Sequence, residues 1–203
     1  MTPIDTQNWR SLTSRHDAAN AYVEAVRDHV VIYDGSMGAS ILNMELPSAA
    51  YGGKDGCNEA LVLSSPSVIE SLHASFLEVG CDVLETDPFG GSRIKLAEYG
   101  LADQTYEINR KAAELARRVA DDYSTRGHRR FVAGSIGPTG LLPASDDPML
   151  GQHRFGEVVD LFVDQIRGLA DGGADALIIE TVQDILELKA AIHSLAKASI
   201  AAA

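Results

Sequence analysis

The chain has only two cysteines, Cys57 and Cys81, and neither belongs to a Cys-x-x-Cys pair. Their separation fits no common zinc spacing. A disulfide is not expected in so acidic a chain, and each cysteine reads as a small buried apolar residue rather than a nucleophile. Basic residues are also scarce: 17 Lys and Arg against 29 Asp and Glu leave a net charge of −12, which argues against nucleic acid as a partner. The densest basic run, Arg126 to Arg130, is short and reads as a solvated helix end before a strand. No His-Glu-x-x-His occurs, so the scattered histidines support no zinc site. No apolar run is long enough to span a bilayer, and the N-terminus lacks a basic region followed by an apolar stretch. The expectation is a cytoplasmic protein that meets neither membrane nor nucleic acid.

What is present suits one globular domain. The 203 residues are 45% hydrophobic and 23% charged, enough for a sizeable core. Residues 1–29 form an N-terminal extension with a helix over Ala18 to Arg27, the main body spans 30–195, and 196–203 is an alanine-rich tail. A first buried strand is predicted over Val30 to Tyr33. A long segment from Ile41 to Ser64 follows, with the look of a functional lid. Ser65-Pro66 starts a helix with Ile69, Leu72, Phe76 and Val79 on one stripe, and Gly80 ends it. A strand over Asp82 to Thr86, a helix over Ala102 to Tyr123 and a strand over Arg130 to Ser135 come next. A helix over Phe155 to Asp171 is expected to bury a stripe of Phe155, Val159, Phe162, Ile166 and Leu169 at helical spacing. The strand Ala176 to Thr181 reads as buried on both faces. A last helix from about Gln183 turns Ile185, Leu188, Ile192 and Leu195 inward.

A weak internal repeat links two of these strands. Gly80-Cys81-Asp82-Val83-Leu84 leads to Glu85-Thr86, and Gly173-Ala174-Asp175-Ala176-Leu177 leads to Glu180-Thr181. Strands alternating with helices imply an α/β fold with a parallel sheet. Four such units make half of a TIM-type (β/α)8 barrel. A doubly wound sheet is the other option, but no Rossmann fingerprint is present.

Polar residues gather where strands end, which is where α/β folds place their chemistry. Asp34-Gly35-Ser36-Met37-Gly38 is either an anion-binding nest beside a carboxylate or a tight turn with a capping aspartate. Gly134 to Gly140 either wraps an anion or turns the chain; it lacks the lysine of a phosphate-binding loop. Glu180 ends an apolar strand and needs a partner, either a substrate ammonium or an internal Arg or Lys. Glu85 is placed similarly. Asp87, before Pro88, either projects toward the site or begins the turn.

Taken in order, these segments resemble the homocysteine-binding domain of the cobalamin-dependent methionine synthases, within the homocysteine S-methyltransferases. The resemblance runs from about Val30 to Leu195. It is carried by Asp34-Gly35-Ser36-Met37-Gly38, Gly56-Cys57-Asn58-Glu59, Leu84-Glu85-Thr86-Asp87-Pro88-Phe89-Gly90, Arg93-Ile94, Leu96 to Gly100, Tyr106-Glu107-Ile108-Asn109-Arg110, Ala133 to Gly140 and Ile178-Ile179-Glu180-Thr181. The Gly-Pro-Thr-Gly segment and the Tyr-Glu-Ile-Asn helix favour the cobalamin-dependent branch over relatives with other methyl donors.

The resemblance implies a barrel that binds homocysteine at the C-terminal ends of its strands. In that family, three cysteines hold a zinc ion that activates the homocysteine sulfur. Methylcobalamin, recharged from methyltetrahydrofolate on further modules, supplies the methyl group to give methionine. Asp34, Gly35, Ser36 and Glu180 would hold the amino-acid end of homocysteine, with Asp87 and Ser135 lining the same pocket. Departures are clear. The family's zinc cysteines lie in the second barrel half and match neither Cys57 nor Cys81, so no metal ligand and no catalytic residue carries over. Pro88 stands where threonine is common, and Asp87 where asparagine is frequent. The expectation is the amino-acid-binding half of a methionine synthase, inactive alone. The alternatives are a non-catalytic half-barrel that binds homocysteine or self-associates through open sheet edges, and a barrel enzyme for a phosphorylated substrate.

Overall fold

A computed structural model of the protein describes residues 15–125, 127–146, 151 and 153–200. Helices α1 (Arg15–Asp28), α2 (Met37–Asn43), α3 (Leu61–Ser64) and α4 (Pro66–Glu78) precede β1 (Val83–Glu85). Helices α5 (Arg93–Ala97) and α6 (Thr105–Tyr123) then lead to β2 (Phe131–Ile136). Helix α7 (Phe155–Asp171), β3 (Ala176–Ile179) and α8 (Ile185–Ile200) complete the order. The three strands form one parallel sheet in the order β1-β2-β3, with Val83 opposite Phe131 and Ala133 opposite Ala176. No single helix among the described residues is long and apolar enough to cross a membrane.

The sheet separates two apolar layers. On one face Leu84 and Val132 pack with Leu77, Ala116, Val119 and Ala120 of α4 and α6. On the other, Val83, Phe131 and Ala133 meet Ala21, Tyr22 and Ala25 of α1. There the Tyr22 ring stands edge-on to Phe131 at 5.5 Å, and the Tyr22 and Tyr33 hydroxyls lie 2.7 Å apart. Helix α7 buries Phe162, Ile166 and Leu169, each contributing about 1.5–3 kcal/mol by leaving water. Gly168 lets α6 and α7 approach closely: a Cβ there would stand 2.5 Å from the Tyr106 carbonyl oxygen.

The predicted first strand is reduced to an isolated parallel bridge between Tyr33 and Val83. The Ile32 carbonyl still accepts from the Asp82 and Val83 amides, at 2.7 and 3.1 Å. Val30 and Ile32 are 84% and 54% exposed, so this segment lies at the border of the sheet and is not buried. At the opposite border β3 is half-buried throughout, whereas β2 is wholly buried. An edge strand is covered on fewer sides than the predicted two-faced burial requires.

Five other expectations change. The 41–64 segment is not an open lid: Cys57, Ala60 and Leu61 join the core with Ile41, and the Ser64 and Ser65 hydroxyls donate to the Ala50 carbonyl at 2.7 and 2.8 Å. Val79 is 82% exposed, and α4 instead buries Ile69, His73 and Leu77. In α8, Ile185 and Ile192 face outward, while Glu187, Ala190, Ala191, Ser194 and Ala198 are buried; the small residues allow close packing on α7. The same helix continues to Ile200, through most of the predicted tail. Residues 1–14 lie outside the described ones, as does Arg126.

The basic run is the fifth correction. Arg129 and Arg130 do not decorate a solvated helix end. Arg129 pairs with Asp175 at 2.7 Å and Arg130 with Asp82 at 3.0 Å, with side chains only 15% and 11% exposed. These pairs explain the sequence repeat. Gly80 and Gly173 both take left-handed backbone, φ 107° and 98°, open to glycine. The aspartate two residues later enters the sheet by its own amide, Asp82 to the Ile32 carbonyl and Asp175 to the Val132 carbonyl. Each carboxylate then accepts the amide of that same neighbouring residue, Ile32 or Val132, at 2.9 Å. Arginines complete both sites, with Arg117 joining Asp175 and His128 joining Asp82. The N-terminal rim of the sheet is thus cross-linked by ion pairs.

Candidate functional site

The C-terminal rim of the same sheet is rich in carboxylates. The Asp34 amide donates to the Val83 carbonyl at 3.0 Å, which sets residue 34 beside the end of β1. The Glu85 amide donates to both carboxylate oxygens of Asp34, each at 3.1 Å. Burial pushes the Asp34 carboxyl up to about 7, against the Glu85 amide bonds, which pull it down. Burial and the neighbouring Glu180 raise Glu85 as well. Asp34, Glu85 and Glu180 therefore form one electrostatically connected row across the strand ends.

Ser135 lies within that row. Its hydroxyl donates to Glu180 Oε1 at 2.6 Å, and its amide donates to Thr86 Oγ1 at 3.0 Å. Gln165 of α7 donates to the Ser135 carbonyl at 3.3 Å. The Glu180 amide is held by the Ile136 carbonyl at 3.1 Å. Glu180 has thus found an internal hydroxyl partner in place of the Arg or Lys that was one of its two alternatives, and it remains half-buried. Gly35 is exposed beside Asp34. The Ser36 hydroxyl accepts from the Ala39 amide at 3.2 Å as the N-cap of α2, so the turn after Asp34 also starts a helix.

Asp87 belongs to a second group. It is buried with neither carboxylate oxygen hydrogen-bonded, and burial together with Glu59 raises its carboxyl well above the usual range. Glu59 accepts from the Gly90 amide at 2.8 Å and from the Cys57 thiol at 3.6 Å. Burial, then Glu59, pushes that thiol up to about 12, which makes it inert as a nucleophile. Glu59 therefore holds the loop after β1, with Asp87 buried near it. That loop is tied to the next by the Gly137 amide, which donates to the Phe89 carbonyl at 3.1 Å.

Sequence reasoning overlooked several contributors. Gln165 lies in a helix, with no pattern to betray its reach to Ser135. Glu187 was hidden in the last helix; it accepts the Thr139 amide at 2.7 Å and the Thr139 hydroxyl, and so holds the glycine-rich loop. Glu59 was noticed as part of a motif and not as a partner of Gly90.

The arrangement offers a cation site: carboxylates aligned at one sheet edge, one anchored by a serine, beside a turn with exposed backbone. The fold and this rim define an α/β protein that presents its polar groups at the C-terminal ends of parallel strands. The sequence profile of the homocysteine S-methyltransferase family matches residues 31–202, and the chain belongs to that family. It is 37% identical over 179 residues to a methionine synthase of Mycobacterium leprae (strain TN), covering 88% of this chain and 14% of the relative. The methionine synthase of Mycobacterium tuberculosis (strain ATCC 25618 / H37Rv) is 36% identical over 170 residues, covering 84% and 14%. The chain thus spans about one-seventh of the length of these relatives.

Solved structures agree on the fold. The oxidized form of the homocysteine methyltransferase MmuM from Escherichia coli superposes with a TM-score of 0.68 at 22% identity, over 85% of this chain and 60% of that one. Its metallated form gives 0.69 at 21% identity, over 89% and 62%.

Proposed function

We propose that this chain forms the amino-acid-binding portion of a methionine synthase, and that its elements are one half of a TIM-type barrel that receives homocysteine at the C-terminal rim. The observation that carries the reading is the shared edge: Asp34, Glu85, Ser135 and Glu180 meet at one end of one parallel sheet. Glu180 and Asp34 would accept from the substrate ammonium. The exposed turn at Gly35 would face its carboxylate. Support for the half-barrel comes from the parallel order, the exposed border at Ile32, the half-buried one at β3, and the likeness to MmuM.

Zinc does not fit the described residues. The Cys57 thiol turns to Glu59 and the Cys81 thiol to the Tyr33 carbonyl, and no described group of three His, Cys, Asp or Glu could hold a metal ion. These residues can bind and orient an amino acid. Thiolate activation and methyl delivery from cobalamin, with folate as the ultimate donor, would belong to other parts of a longer enzyme, and the chain alone would bind without turnover. The phosphorylated-substrate alternative is less favoured, because the Gly137 and Thr139 amides already serve Phe89 and Glu187.

Glu180→Gln tests the proposal. Loss of a charge-assisted bond should weaken homocysteine binding about ten- to a hundredfold in calorimetry, with little change in melting temperature. Unchanged affinity removes Glu180 from the site.

A further inference from the structure

Thr181 adopts left-handed backbone, φ 57°. Glycine enters this region freely and asparagine tolerates it, but for a β-branched residue it is an outlier. The Thr181 side chain is exposed, so no core contact rewards the conformation. Such strain persists where flanking structure fixes the chain on both sides. Here the Glu180 amide is pinned to the Ile136 carbonyl at 3.1 Å. Four residues after Glu180, the Asp184 carboxylate accepts the Leu186, Glu187 and Ala144 amides at 2.7, 3.2 and 2.7 Å, fixing the start of α8 and the facing loop. The chain must leave β3 and reverse between these anchors, and residue 181 makes the turn. The residue just before it is the one whose carboxylate meets Ser135.

We infer that Thr181 is a positioning residue: its left-handed turn holds the Glu180 carboxylate against the Ser135 hydroxyl, where the ammonium group of an amino-acid substrate would bind. The inference rests on the proposed role of Glu180 and extends it to a residue that touches no ligand. It acts through backbone stiffness, because a threonine locked in this turn leaves Glu180 one orientation, whereas a glycine would leave it several.

The test compares the full chain with Thr181→Gly, Thr181→Asn and Glu180→Gln by three readouts: thermal unfolding, calorimetric titration with homocysteine, and carbon-13 NMR titration of the glutamate carboxyls. Thr181→Gly is expected to melt about 2–4 °C higher as strain is released. It should nevertheless bind homocysteine about five- to tenfold more weakly. Thr181→Asn should bind within about twofold of the parent, since asparagine keeps the turn. In Thr181→Gly the Glu85 midpoint should also fall, because Glu180 is no longer fixed beside it. A higher melting temperature with unchanged affinity and an unchanged Glu85 midpoint overturns the inference and leaves Thr181 as strain alone. If Glu180→Gln binds as the parent does, or the parent shows no binding, the ammonium role of Glu180 fails. The Glu85 midpoint then decides the positioning claim: a fall supports it and no change refutes it.

Discussion

The Ser135 hydroxyl reaches across from β2 to donate to Glu180 Oε1 at the end of β3, 2.6 Å away. It fixes one oxygen of that carboxylate and leaves the other available. Ser135→Ala should therefore keep the fold and loosen the ligand: removing one hydrogen bond to a charged group costs about 1.5–3 kcal/mol where it is fully expressed. We expect homocysteine affinity to drop about tenfold in calorimetry, and Ser135→Thr, which keeps the hydroxyl, to recover part of it. An alanine variant that binds as tightly as the parent would show that Glu180 needs no anchor.

Asp34 gives opposite pH responses for stability and binding. Its folded-state carboxyl titrates at about 7 because of burial, against about 3.9 in an unfolded chain. Between these values the folded state keeps a proton that the unfolded state has lost. The contribution to stability is full below about pH 4 and is lost as pH rises through about 7. Ammonium recognition needs the ionised carboxylate, so affinity should rise over the same interval. Melting temperature and homocysteine affinity measured from pH 5 to 8 check both trends. Asp34→Asn should flatten the Asp34 contribution to each.

His73 responds in the other direction. Both ring nitrogens are buried without a hydrogen-bond partner, and burial lowers the ring to about 4. Below about 6.5 the unfolded chain takes up a proton that the folded one refuses. This part of the stability is therefore present above about pH 6.5 and is lost as pH falls through about 4. His73→Leu removes two unsatisfied polar atoms at similar volume. It should raise the melting temperature at pH 7 and widen its advantage at pH 5; a lower melting temperature at both would mean that the ring has a partner.

Asp175 should be among the costliest residues to lose. Its carboxylate, 2% exposed, serves Arg117, Arg129 and the Val132 amide. Asp175→Ala strands Arg129 and the Val132 amide, leaves Arg117 only Asp121 and the Arg130 carbonyl, and should cost about 3–5 kcal/mol in urea unfolding. Loss below about 1 kcal/mol would show that water replaces the carboxylate.

How much of this was readable in advance depends on where each residue finds its partner. The bounds of helix α7 were legible because its apolar stripe is local information, but Phe155, expected in the buried stripe, is 38% exposed at the first turn. The helix over Ala102 to Tyr123 was nearly so: its first three residues, Ala102–Gln104, form a 3-10 turn instead. The first strand was misjudged because a strand is defined by neighbours, and Val30 and Ile32 have too few. Arg129 and Arg130 looked solvated because Asp175 and Asp82 lie more than 40 residues away in sequence. In the site, glycine-punctuated strand ends pointed to Asp34, Ser135 and Glu180, which lie along one rim of the sheet. They could not disclose that Ser135 donates to Glu180, that Asp87 sits with Glu59, or that Thr181 turns left-handed, since threonine ordinarily avoids that turn.

The paired glycine–aspartate entries to β1 and β3 carry an implication for how such a sheet is assembled. The same small fitting seats each strand on its predecessor, so lengthening the array calls for duplication of a module, with no novel joint to invent. Strands seated in this way ought to be exchangeable: a chimera carrying residues 80–84 in place of 173–177 should still insert in register.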